Sequence, residues 1–393
     1  MTTSIATSDV DLFSDVVLTD PYPTYRRLRD SAAVIRMPSL GVWAVPRYDD
    51  VRTIMGDWQR FKSGEGVAFN PGINQAMQGS VLASDPPYHD VLRGILADRL
   101  SPRAMRKWHD DMRSRADELL VTVIARGSFD GIADLARVYT PSVVGDLIGI
   151  PHEVRPRLIP WGDSMFNAMG PENSRMAEAM PLLAEHLGWL NTVHAEELLE
   201  GSMGRAIFEA ADAGVIEPAA APTLLSAYTS AAMDTTIGAI GSALWLFATH
   251  PDQFQQLRAE PSLLPKAFNE VLRFESPAQC FTRVVPESCV IGDTAIPAGE
   301  RVAILIGSAN RDERHYGADA DCFDITRASD DHLAFGYGLH GCAGQGLARM
   351  EAAALLGSLI EHVDALRLTA TPVLHLNNLI RGFASLPLEA VPA

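Results

Sequence analysis

Between Phe335 and Glu351 the chain reads FGYGLHGCAGQGLARME, and five glycines (Gly336, Gly338, Gly341, Gly344 and Gly346) surround one cysteine, Cys342. Glycine serves where backbone must take positive φ or lie close against something bulky or flat. Such a loop around a single thiol predicts a large object held over the sulfur. Directly after it, LARMEAAALLGSLIEHV sets Leu347, Met350, Leu355, Leu359 and Val363 at helical spacing on one face. Cys342 therefore falls just ahead of a helix N-terminus, where the dipole and free N–H groups favour a thiolate, the metal-binding form. Two simpler readings compete. Gly336-x-Gly338-x-x-Gly341 also spells a dinucleotide fingerprint, but only about fifty residues follow, too few for most of such a domain. Taken alone, Cys342 reads as a buried structural thiol, the commonest fate of a reduced cysteine.

The second constraint is the stretch TLLSAYTSAAMDTTIGAIGSALWLFATH, which has no proline between Pro222 and Pro251. As a helix it would be about 40 Å long. It is apolar enough to suggest a membrane span. Asp234 near its centre, flanked by Thr229, Ser230, Thr235 and Thr236, and the lack of a second such stretch favour a buried central helix instead. With 47% hydrophobic residues, a chain of 393 has ample core, and no linker, repeat or low-complexity tract divides it, so one domain over 1–393 is expected. A net charge of −17 argues against nucleic acid as a partner. The four cysteines, Cys280, Cys289, Cys322 and Cys342, lack zinc spacing and suit a reducing compartment. MTTSIATSDVDLFSD has neither a basic nor an apolar leader region, so a cytoplasmic protein without a membrane anchor is expected.

Elsewhere, 21–31 reads as a short helix, and 32–48 as a hairpin about Ser39-Leu40-Gly41. Asp49 and Asp50 are expected to cap the next helix. Residues 63–84 form an aperiodic loop long enough to be functional. From 110 to 215 the pattern is helical, with WGDSMFNAMGPEN expected as a turn between helices. Strands follow 280, and LHLNNLIRGFASLPLEAV closes the chain as a hairpin.

The cysteine loop fills each fixed position of F-G-x-G-x-H-x-C-x-G-x-x-L-A-R with Phe335, Gly336, Gly338, His340, Cys342, Gly344, Leu347, Ala348 and Arg349. In this it resembles the cytochrome P-450 superfamily, and matching motifs run from Asp85 to Pro387. The resemblance implies a mainly α fold with a smaller β region, with haem between a long central helix and the cysteine loop. It makes Cys342 the proximal thiolate ligand of a haem b (iron protoporphyrin IX), in a loop whose Phe335, His340 and Gly344 also belong to the haem site. DPPYHDVLR looks like the family's D-P-P-x-H-x-x-x-R, so His89 and Arg93 are assigned to the haem propionates, as is Arg283. AAMDTT is similar to the oxygen-activation pattern, with Ala232 where glycine is usual; Asp234 would pass protons by way of water and Thr235 would supply the alcohol. Glu270 and Arg273 look like the family's buried ion pair, with Arg327 as a further partner.

The activity implied is monooxygenation of a small organic substrate by O2. Electrons would come from a separate ferredoxin and its NAD(P)H-dependent reductase, since no flavin or NAD domain fits in this length. The cationic run Arg93, Arg99, Arg103, Arg106, Lys107, Arg113 and Arg115 is the expected docking side for an acidic ferredoxin. A haem protein that binds or senses without turnover, and a peroxide-driven peroxygenase, are the alternatives; the acid–alcohol pair speaks against both. GVWAVPRY, FNAMGP, RFESPAQ, GSANRD and LNNLIRGFASLPL resemble the bacterial branch that demethylates para-substituted benzoates. Yet Ser63 to Leu92 contains no Lys or Arg, and the central helix offers Ser226, Ala227 and Ser230 rather than a cation. A neutral aromatic substrate is therefore expected, packed among Phe69, Phe166, Ala231 and Ile380, with Glu65 or Ser230 accepting a phenolic proton. Terpenoids are the alternative class.

Overall fold

The proline-free run becomes a single helix, Ala220–Thr249, about 45 Å long at 1.5 Å per residue. In the computed structural model, which describes residues 5–97 and 100–393, helices Arg137–Ile148, Arg155–Ala168 and Leu264–Phe274 and strand Arg381–Ser385 all pack on it. Ile240, Leu244, Leu246 and Phe247 are wholly buried along it. Each such side chain contributes about 1.5–3 kcal/mol. Among the described residues this is the one helix long and apolar enough to cross a membrane, and 67% of its most apolar window is buried inside the protein.

Beside the helices lies a four-stranded sheet in the spatial order Ile35–Met37, Val42–Val45, Arg301–Leu305, Cys280–Val284. The expected hairpin supplies its first two strands, and the last carries Arg283 opposite Val302. The closing hairpin pairs Val373–Leu376 with Arg381–Ser385. Strand Pro387–Pro392 then joins Val363–Leu368 and Ser128–Asp130 in a separate sheet.

Two local expectations are corrected. Asp49 and Asp50 lie inside the first turn of helix Tyr48–Gly56 rather than capping it. The carboxylate that takes the orphan N–H of Tyr48 is Asp312 Oδ2, at 3.0 Å, which no local pattern could reveal. Trp161 to Ala168 is helical, not a turn; the break is confined to residues 169–173, before helix Ser174–Leu190.

Helix Leu264–Phe274 is locked from below by its i, i+3 pair. Glu270 and Arg273 have no exposed side-chain surface and meet at 2.7 Å. Arg273 also donates to the carbonyls of Asn310 and Ala320, at 2.9 and 2.8 Å, and Arg327 reaches Glu270 Oε1 at 3.3 Å.

Candidate active site

The cysteine loop is closed by the Cys342 N–H, which donates to the Phe335 carbonyl at 2.7 Å. Gly338 has φ +70°, and a Cβ there would stand 2.9 Å from the Met55 carbonyl oxygen, so any side chain would push the loop off helix Tyr48–Gly56. Helix Gln345–His362 starts from Gly344, two residues after the thiol. Its Arg349 lies over the Phe335 ring at 4.9 Å and bonds Asn269, clamping the loop to the Leu264–Phe274 helix. Burial pushes the Cys342 thiol up, while the Gly344 N–H, Arg93 and the Gln345 N–H pull it down. The helix terminus thus acts in the expected direction but does not outweigh desolvation. A thiol in this position loses its proton to solvent when a metal cation takes the proton's place on the sulfur.

Cys342, Phe335, His340 and Gly344 line a cavity of about 380 Å³, and His89, Arg93, Arg283 and Thr235 line the same cavity. Helix Tyr88–Ala97 carries His89 and Arg93 one turn apart; Arg93 donates to the Gly341 carbonyl at 2.8 Å, tying that helix to the loop. The rings of His89 and His340 meet edge to face at 4.8 Å. Each has a buried Nε2 with no partner among the described residues. Burial first, then Arg283, His89 and Arg93, push His340 down to about 3, leaving it a neutral imidazole. Burial also draws Arg283 down to about 10, with Asp85 opposing. A buried guanidinium that donates to the Thr282 carbonyl, beside two imidazoles with orphan nitrogens, leaves anionic partners wanting. The two carboxylates of a haem fit this set of donors, and the Cys342 thiol would serve as a ligand for its iron.

On the central helix Thr235 stands on the cavity wall and donates to the Ala231 carbonyl at 3.0 Å. Asp234 does not line the cavity; the helical twist turns it toward helix Arg155–Ala168, where burial and then Asp163 hold its carboxyl well above the usual carboxylate range.

Of the expected substrate contacts, Phe166, Ser230 and Ala231 line the cavity. Three do not. Glu65 is exposed to solvent, on a loop segment where Arg301 bonds its carbonyl at 3.0 Å. Phe69 packs edge to face on Phe13, 4.9 Å between centroids, in the cluster under the N-terminal segment. Ile380 is one layer back: it bridges Ala278, which takes the wall position, and its N–H is fixed by Asn377 Oδ1. Met165, Met169, Leu183 and Phe281 also line the cavity and carry no sequence signal for it, because an apolar residue facing a cavity has the same pattern as one facing core. Tyr228 is also on the wall, with a buried hydroxyl lacking a partner among the described residues.

The cationic run is thinner than its sequence suggests. Arg93 turns inward, Arg113 is paired with Asp117 and Glu361, and Arg115 with Asp111 and Asp146. Arg103, Arg106 and Lys107 are exposed, and Arg99 lies outside the described residues.

Comparison with known proteins adds the context. The family model described as Cytochrome P450 matches residues 221–387. The chain is 36% identical to cytochrome p450 CYP199A2 of Rhodopseudomonas palustris, covering 98% of this chain and 94% of that protein. It is 30% identical to cytochrome P450 107B1 of Saccharopolyspora erythraea, covering 97% and 98% respectively. Among solved structures, CxnD, a cytochrome P450 enzyme for C–S bond formation in chuangxinmycin biosynthesis, superposes with a TM-score of 0.88 at 25% identity over 100% of both chains. Cytochrome P450 CREJ in complex with (4-ethylphenyl) dihydrogen phosphate gives 0.85 at 27% identity, covering 98% of this chain and 99% of that one.

Proposed function

We propose, on the premise that this chain belongs to the cytochrome P450 family, that Cys342 is the thiolate ligand of its haem iron. The family binds haem b, and the chain is a haem-thiolate monooxygenase of P450 fold. One observation carries the assignment of Cys342: its loop shares a cavity with Arg93, Arg283, His89 and His340, a basic set with unpartnered ring nitrogens. When bound, the haem activates O2, one oxygen atom entering the substrate and the other leaving as water. The chain's own residues supply the rest. Arg93, Arg283, His89 and His340 would hold the propionates, and Phe335 and Gly344 shape the cysteine loop. Thr235 offers a hydroxyl on the cavity wall that can pass on a proton, and Asp234 is the acid that supplies it. The apolar wall excludes bulk water from this transfer.

The substrate is a small neutral aromatic compound, a phenol or methoxyarene. Among the described residues lining the cavity the cations are Arg93 and Arg283, both assigned to propionates, and the rest is largely apolar, its polar groups being hydroxyls and amides such as Ser226, Ser230 and Asn191, the His89 and His340 imidazoles, the Cys342 thiol and the Glu351 carboxyl, none of them a free cation for a substrate carboxylate. Phe166 and Ala231 flank the ring, and Ser230, whose buried Oγ lacks a partner among the described residues, accepts from or donates to the phenolic hydroxyl. The complex of CREJ with an aryl phosphate supports an aromatic ligand in a related fold. Spectral titration of the ferric protein with 4-methoxyphenol and 4-methoxybenzoate tests this. A buried carboxylate without a cation costs enough that the benzoate should bind at least about tenfold more weakly. Tighter binding of the benzoate would contradict the charge argument, and a response to neither would favour terpenoids.

Electrons come from a ferredoxin served by an NAD(P)H-dependent reductase. Arg103, Arg106 and Lys107, exposed just after helix Tyr88–Ala97, form the basic patch that an acidic ferredoxin would approach.

A further inference from the structure

Asp234 Oδ2 is buried and has no hydrogen-bond partner among the described residues. It occupies a slot made by Gly162: a Cβ there would lie 2.3 Å from Oδ2. The next residue, Asp163, is fixed from three sides. His375 Nε2 meets Oδ1, Asn377 Nδ2 donates to Oδ1 at 2.8 Å, and Asn167 Nδ2 donates to Oδ2 at 3.3 Å. The side chains of His375 and Asp163 keep 34% and 30% of their exposure, so this pair meets solvent. The closing hairpin supplies His375, and helix Arg137–Ile148 supplies Arg137, the cation acting on both acids, whose buried Nε lacks a partner among the described residues.

We propose that Asp163, held by His375, Asn377 and Asn167, is a positioning residue that keeps Asp234 protonated and passes it replacement protons from solvent. Two neighbouring carboxyls do not both ionise readily. Donors from three side chains favour the charge on Asp163, so the proton resides on Asp234. Against the upward push of burial, the His375 bond draws Asp163 below its ordinary range; Asp234 is held up by burial and by Asp163, with Arg137 opposing. When Asp234 gives its proton toward the cavity, a second negative charge appears beside Asp163. Uptake of one proton from solvent through the His375–Asp163 pair relieves it. One proton leaves Asp234, one returns, and no electron moves. The inference rests on Asp234 being the proton supplier.

Infrared titration of the resting holoenzyme tests it without turnover, following the carboxylic-acid band that Asp234→Asn removes. Asp163→Asn takes away a negative neighbour, making ionisation of Asp234 easier, so the band should be lost at a pH lower by about 1 unit. Asp163→Ser removes the same charge and serves if the first variant does not fold. An unchanged titration overturns the proposal, even if Asp234→Asn stops turnover. A shifted titration with undiminished turnover in Asp234→Asn overturns it too, by removing the proton-supplier reading on which it rests.

Discussion

Glu270→Ala should lower folding stability by about 3–5 kcal/mol, the range for removing one partner of a buried ion pair. An i, i+3 pair on a helix surface contributes about 0–1 kcal/mol, and burial is what separates the two cases. Without Glu270, the Arg273 guanidinium keeps its bonds to the Asn310 and Ala320 carbonyls but loses its countercharge in a place water does not reach. The damage spreads further, because Glu270 Oε1 also accepts from the Asp324 N–H at 3.1 Å and from Arg327. The helix and the segment leading to the cysteine loop would come apart together. Urea denaturation followed by far-UV circular dichroism and by the haem band measures this. A loss below about 1 kcal/mol would mean the pair contributes no more than a surface one.

Asp234→Asn should lower the turnover number by about a hundredfold, the scale of a general acid's contribution, because an amide has no acidic proton to give. Asp234 is off the cavity wall, so substrate-induced spectral shifts should keep their midpoints. Turnover measured beside spectral titration separates the two effects. Undiminished turnover would move the proton supply to another group. Weakened substrate binding would mean that the slot formed by Gly162 shapes the pocket.

What was legible in the sequence follows from how local each constraint is. The loop from Phe335 to Arg349 is read in one stretch because backbone geometry, thiol and helix start are all contiguous. The central helix shows itself through length and the absence of proline, and His89 and Arg93 through i, i+4 spacing. Contacts made across hundreds of residues leave no such trace. Asp312 caps a helix that begins at Tyr48, and His375 bonds Asp163 from the far end of the chain. The substrate pocket was the least legible part. Phe69 and Ile380 have the right residue type and the right neighbourhood, yet packing on Phe13 and behind Ala278 takes them off the wall. Glu65 reads as an acid near the substrate, but its loop segment turns it outward, with Arg301 on its carbonyl. Asp234 was identified by its motif, whereas its orientation depends on Gly162 in a helix seventy-two positions earlier.

The assignment of Cys342 is tested most directly by the absorption spectrum of the reduced carbon monoxide complex. Wild-type protein should show the Soret band at the long-wavelength position that gives the family its name, since a thiolate donates electron density to the iron. Cys342→His should move that band to the shorter wavelength of histidine-ligated haem. A wild-type band already at the histidine position, or a band unmoved by Cys342→His, would contradict thiolate ligation by this residue.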